Sequence, residues 1–143
     1  MTTLSAWVVA QFIKVITGVM RQRKFDFRWL VGTGGMPSAH AAGASCLAAT
    51  IGLEYGFNSV HFALAASFAI VVMFDAQGVR RSTGRQARIL NKIMDDIYWR
   101  GRASEGRLRE LIGHTPIEVF AGALLGITVA FCYIKKELFV NKR

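Results

Sequence analysis

The chain has 143 residues, 52% of them hydrophobic, and carries a formal net charge of +9 at neutral pH. By size this is one domain, residues 1–143, and strong apolarity beside strong basicity implies membrane-buried helices joined by basic loops, with no nucleic-acid partner expected. Only two cysteines are present. Cys46 and Cys132 both sit inside apolar runs, which argues against a disulfide framework or a zinc site and reads as small-residue packing.

No basic segment precedes the first apolar run and no convincing cleavage site follows it, so a removable signal peptide is not expected. Residues 4–20 are apolar apart from Ser5, Gln11, Lys14 and Thr17. At about 1.5 Å per residue they are barely long enough to cross a hydrocarbon core of about 30 Å. Lys14 either snorkels to the interface or faces a polar cavity within the bundle.

A short basic stretch, residues 21–28, leads to Gly34-Gly35-Met36-Pro37-Ser38-Ala39-His40. The glycines free the backbone, and Pro37 suits the first turn of a helix, where its missing N–H has no intrahelical partner. Amides at such a start, with the positive end of the helix dipole, offer an anion site that His40 can reach. The plainer alternative is a glycine-rich loop capping a membrane helix, with His40 at the lipid–water boundary.

Residues 41–57 are rich in Ala, Gly and Ser, which lets neighbouring helices approach closely and predicts a central, tightly packed helix. A turn at 54–58 and a third apolar helix over 59–76 follow, with His61 read as interfacial. Residues 77–113 then carry nine basic against four acidic residues. Within them, apolar positions over 87–94 recur at helical spacing and predict a surface helix lying along the membrane, followed by a loop from Tyr98. The fourth apolar helix spans 116–134. Its Gly122 and Gly126 offer a small-residue face, and because four short helices bury little surface, that face leaves room for a homodimer. The tail from Lys135 is basic.

The predicted fold is therefore all-α: an integral membrane bundle of about four transmembrane helices plus a basic cytoplasmic interfacial helix. The loops 21–40 and 77–113 share one face and hold nearly all the loop charge, which assigns that face to the cytoplasm. The basic tail conflicts with this assignment, and a re-entrant helix would remove the conflict. The topology gathers Arg21, His40, Asp75, Arg80, Arg81, Arg109, His114 and Glu118 at the cytoplasmic face. Arginine forks and helix-start amides suit a phosphate-like anion, although some of the arginines serve only as topology signals. Two histidines suit phosphoryl transfer without a metal, one attacking phosphorus and the other protonating the leaving oxygen. Glu118, four residues after His114, shares its helical face and can hold Nδ1–H, or else simply complements the helix start.

These residues resemble a known family. Gly-Gly-Met-Pro-Ser-Ala-His (34–40), Val-Met-Phe-Asp-Ala-Gln-Gly-Val-Arg-Arg (72–81) and Leu-Arg-Glu-Leu-Ile-Gly-His-Thr-Pro (108–116) are similar to the small divergent branch described as acid phosphatase/vanadium-dependent haloperoxidase-related. That branch belongs to the type 2 phosphatidic acid phosphatase (PAP2) superfamily. In the superfamily the first motif is a lysine, six residues, then Arg-Pro. Lys14 and Arg21 keep the spacing, with Gln22 in place of the proline. The second motif, Pro-Ser-Gly-His, corresponds to Pro37-Ser38-Ala39-His40. In the third, Arg109 stands five residues before His114 rather than six, and Glu118 takes the place of an aspartate. The resemblance implies His114 as nucleophile, His40 as general acid and Glu118 as the residue that orients His114. It also implies Lys14, Arg21, Ser38 and Arg109 as phosphate ligands, with Arg80 or Arg81 substituting for one of them by topology and Asp75 a further candidate.

The implied activity is a metal- and cofactor-independent membrane phosphatase acting on a lipid phosphate, of the phosphatidic acid or phosphatidylglycerol phosphate type, with vanadate as an inhibitor. The alternatives are a haloperoxidase holding vanadate permanently, and a non-catalytic lipid-binding or transport-associated membrane protein that retains the anion pocket.

Overall fold

A helix built from Ala, Gly, Ser and Cys has thin walls, so other helices can lie against its backbone on every side. The computed structural model, which describes residues 1–23, 35–98 and 114–140, is arranged around such a helix. The elements are α1 (Thr2–Gln22), α2 (Ala39–Tyr55), α3 (Val60–Gln77), α4 (Val79–Tyr98) and α5 (Pro116–Val140). Every regular element among the described residues is helical. Helix α2 packs against α1, α3 and α5. Its Ala39, Ala41, Ala42, Gly43, Ala44, Ser45, Cys46, Ala48 and Gly52 are all buried.

Rows of small residues set the directions of the helices. On one side of α2, Ser38, Ala42 and Cys46 meet Gly122, Gly126 and Ala130 in ascending order, so α2 and α5 run parallel. A Cβ on Gly122 would collide with the Ser38 carbonyl, and one on Gly126 with the Ala42 carbonyl. The glycine face predicted as a route to a homodimer is therefore used inside the chain. On another side, Ala44 and Ala48 pack on Ala65 and Ala69, while Ala41 packs on Ala76 and Val119. Helix α3 thus returns antiparallel to α2. Helix α1 completes the cluster, with Ala6 against Cys46 and Ala130, and Ala10 against Ala39 and Ala42.

Among the described residues, three stretches are long and apolar enough to cross a membrane: Thr2–Met20, one that begins at Val60, and Pro116–Glu137. The 17 residues of α2 span about 25 Å at the usual rise, short of a full crossing, and α2 is enclosed by the other helices. The bundle accordingly shows three candidate spans around a shorter buried helix, where the sequence predicted about four.

Several boundaries differ from expectation for local reasons. Helix α2 starts at Ala39, because Ser38 takes the N-cap and its hydroxyl accepts from the Ala41 amide. Pro37 therefore lies before the helix rather than in its first turn, joined to Met36 by a cis peptide bond. Helix α4 begins at Val79, well before the predicted surface helix. The Gly78 amide still bonds to Phe74 O and the Ser82 amide to Gly78 O, so α4 follows α3 almost without a break. Helix α5 runs to Val140, through the basic residues predicted as a tail. Cys46 packs as expected, whereas Cys132 is exposed.

Candidate functional site

Parallel α2 and α5, with α3 antiparallel to both, bring the starts of α2 and α5 to the end of α3. Backbone hydrogen bonds join these ends. The Ser38 amide donates to Glu118 O at 2.9 Å, tying α2 to the first turn of α5. The His114 amide donates to Ala76 O at 3.1 Å, tying the approach to α5 to the last turn of α3. Helix α1 joins through Thr17, whose Oγ1 lies 3.2 Å from Met36 O.

His114 is 1% exposed, and its Nδ1 lies 3.1 Å from Glu118 Oε2. The same Oε2 accepts the Thr115 amide at 3.0 Å, while Thr115 Oγ1 is 3.4 Å from the Glu118 amide. Thr115 and Glu118 thus form a capping box at the start of α5. The sequence offered two roles for Glu118, holding His114 or complementing the helix start. In the structure one carboxylate oxygen occupies both positions. The His40 ring stands edge-on to His114, with ring centroids 6.2 Å apart and an interplanar angle of 60°.

Lys14 is 6% exposed, so it does not snorkel to the interface. Its Nζ donates to Gln11 Oε1 at 3.2 Å, and its charge interacts with the Glu118 carboxylate. Gly35 lies against the Lys14 stem: a Cβ there would come within 3.3 Å of Lys14 Cγ. Gly35 also has φ +88°, a left-handed conformation that favours glycine. An ammonium held among apolar helices marks a functional position by default, because isolating such a charge from water is costly.

The remaining predicted residues are placed less closely. Ser38 is fully buried, and both its amide and its hydroxyl are engaged in holding helix starts. Two of the amides expected to receive an anion are therefore already used, by Glu118 O and by the Ser38 side chain. Asp75 is exposed and lines a separate cleft between α3 and α4 with Gly78, Ser82 and Gln86. Arg21 stands in the last turn of α1, and Arg80 and Arg81 in the first turn of α4. Arg109 lies outside the described residues. Among the described residues, no three His, Cys, Asp or Glu side chains gather as a metal site.

Two partners went unpredicted although the sequence carried signals for both. Gln11, three residues before Lys14 and one of few polar residues in its helix, was legible as a same-face neighbour. Thr115-x-x-Glu118 is a capping-box pattern.

Comparisons with known proteins agree with this architecture. No solved structure matches the chain. The uncharacterized membrane protein YuiD of Bacillus subtilis (strain 168) is 41% identical over 138 residues, covering 89% of this chain and 87% of that protein. Residues 1–129 match the profile of the divergent PAP2 family. With buried His114 beside half-buried His40 at the joined ends of its helices and a match along most of its length, the chain belongs to the divergent PAP2 family.

Proposed function

We propose that the protein is a membrane lipid-phosphate phosphatase that hydrolyses a phosphomonoester, of the phosphatidic acid or phosphatidylglycerol phosphate type, through a phosphohistidine. The observation that carries this reading is the His114 Nδ1–Glu118 contact with the His40 ring 6.2 Å away, beside a buried lysine. A carboxylate on Nδ1 fixes the imidazole tautomer and leaves Nε2 on the opposite edge as the nucleophile.

The cycle has two displacements. Nε2 attacks phosphorus while the P–O bond to the lipid alcohol breaks, and protonated His40 gives its proton to the departing oxygen. Water then attacks phosphorus and yields a proton to His40 as the P–N bond breaks. Inorganic phosphate leaves, and both histidines regain their starting states. Lys14, with Arg21, Arg109 and Arg80 or Arg81, neutralises the phosphoryl oxygens. Ser38 holds the helix start that carries His40. The basic character of the connecting segments favours the cytoplasmic face for this end of the bundle.

The test is phosphate release by detergent-purified protein from a panel of lipid phosphates, with His114→Ala and His40→Ala compared. Activity should survive EDTA, fall with vanadate, which can adopt the five-coordinate geometry of the transition state, and vanish in both variants. Folded wild-type protein that releases no phosphate from any member of the panel would overturn the reading in favour of a non-catalytic anion-binding protein.

A further inference from the structure

A groove of about 700 Å³ opens between α1 and α3, with the first two turns of α2 as its floor. Leu4 and Trp7 form one wall, Phe68 and Val72 the other, and Gly43 lies on the floor with His40. Met1 and Thr3 also line it, and among the described residues His40 is the one ionisable side chain in the lining. The wall from α1 continues beyond the groove in an informative way. Positions 4, 7, 11 and 14 fall on one helical stripe, and along it Leu4 and Trp7 give way to Gln11 and the buried Lys14. The stripe thus changes from apolar to cationic at the level of the histidine pair.

A second lateral groove, of about 510 Å³ between α3 and α5, is lined by Met73, Phe120, Ala123 and other apolar residues together with Gln77, and among the described residues it has no ionisable side chain. The two grooves differ in what stands at their ends. A surface that passes from apolar walls through His40 to a buried ammonium is complementary to an amphiphile with an anionic head and a hydrocarbon tail.

The geometry points to the α1–α3 groove as the subsite for a hydrocarbon chain of the lipid phosphate, with His40 at the junction between chain and headgroup. The inference rests on the phosphatase reading for the chemistry at the headgroup, but the seating of the chain can be observed without turnover. Gly43 sets the depth of the floor. A Cβ there would meet only the Thr3 methyl, at 3.9 Å, so a larger side chain can be accommodated by the helix while projecting into the groove.

The experiment uses the full chain in neutral detergent with two readouts. In the first, a phosphatidic acid analogue carrying a diazirine midway along one acyl chain is photolysed and its adducts are mapped by mass spectrometry. Adducts should concentrate on Leu4, Trp7, Phe68 and Val72, and should be depleted by excess phosphatidic acid but not by phosphatidylcholine. In the second, rates of phosphate release are compared between long-chain phosphatidic acid and water-soluble glycerol 3-phosphate. Gly43→Leu should lower the lipid-to-soluble ratio at least tenfold, with Val72→Trp as the substitute if Gly43→Leu does not fold. Ala123→Leu, in the other groove, should leave the ratio within twofold.

Adducts spread evenly over the outer apolar surface, or concentrated at Phe120 and Ala123, overturn the groove assignment. So does an unchanged ratio in folded Gly43→Leu. Competed adducts in the groove without phosphate release sustain the subsite and bring down the phosphatase reading. Phosphate release with unsaturable labelling does the reverse.

Discussion

Oε2 of Glu118 serves two partners, the Thr115 amide and His114 Nδ1, and substitutions can separate them. Glu118→Gln keeps an acceptor for the amide but removes the charge that favours a protonated imidazole in the transition state. The expected outcome is a melting temperature close to wild type and a loss of about 10²-fold or more in phosphatase kcat. Glu118→Ala removes the cap as well and should destabilise α5 by about 1 kcal/mol. Parallel measurement of kcat and thermal unfolding in detergent checks both. Equal kcat in wild type and Glu118→Gln would reduce Glu118 to a capping residue. The pairing of His114 with Glu118 was legible in the sequence because it depends only on four-residue spacing within one helix. The duties of Ser38 were legible only in part. Its place before a helix suggests a cap, but the bond from its amide to Glu118 O joins residues 80 positions apart and follows from tertiary packing. The burial of Lys14 was undecidable for the same reason, since either face of α1 was available until α2 and the Gly35 segment closed over one of them.

Helix α2 makes the same point for whole elements. Its composition announced a close-packed central helix, and the buried Ala and Gly positions occupy that place. Which neighbour approaches nearest is decided by the two glycines of α5. A Cβ at Gly126 would meet the Ala42 carbonyl, with the Cys46 amide nitrogen 2.9 Å away, and backbone atoms cannot rotate aside as a side-chain tip can. Gly126→Ala should therefore force α2 and α5 apart and lower stability by about 1–3 kcal/mol, the usual range for overpacking. Gly43→Ala gives the contrasting control. Its new methyl meets only ordinary contact, so replacing a helical glycine there should raise stability by up to about 1 kcal/mol. Thermal unfolding followed by circular dichroism in detergent gives the sign of each change. Like-signed shifts would mean that the glycines of α5 are not close-packed on α2. The helix ends were less legible than the helix faces. Polar residues alone did not mark the ends: Lys135 and Lys136 lie within α5, and the basic positions of α4 begin at Arg80, its second residue.

For the molecule as a whole, the open question is how a bundle with three candidate spans and a shorter central helix is threaded through the bilayer. The directions of α2, α3 and α5 place Met36, Ala76 and His114 at one end of the bundle and the turn around Asn58 at the other. Charge could suggest these directions but not fix them, because the segments at the histidine end and the lysines of α5 are basic alike. If α2 passes from one leaflet toward the other, with its small-residue faces shielded by α1, α3 and α5, the two ends meet different compartments. Met36 and Asn58 are both exposed and make suitable reporters. In a Cys132→Ser background, where the remaining Cys46 is buried, single cysteines at each position can be probed with a membrane-impermeant maleimide. The cytoplasmic placement of the histidine end predicts that Met36→Cys reacts only after lysis and that Asn58→Cys reacts in intact cells. The reverse pattern would put the candidate site on the outer face, where its phosphate product would be released outside. Labelling of both positions from the same side would make the α2–α3 hairpin re-entrant, with its turn never reaching the far surface. In that arrangement α1 and α5 would be the only full crossings among the described helices, and the histidine pair would still lie at the level where lipid headgroups meet water.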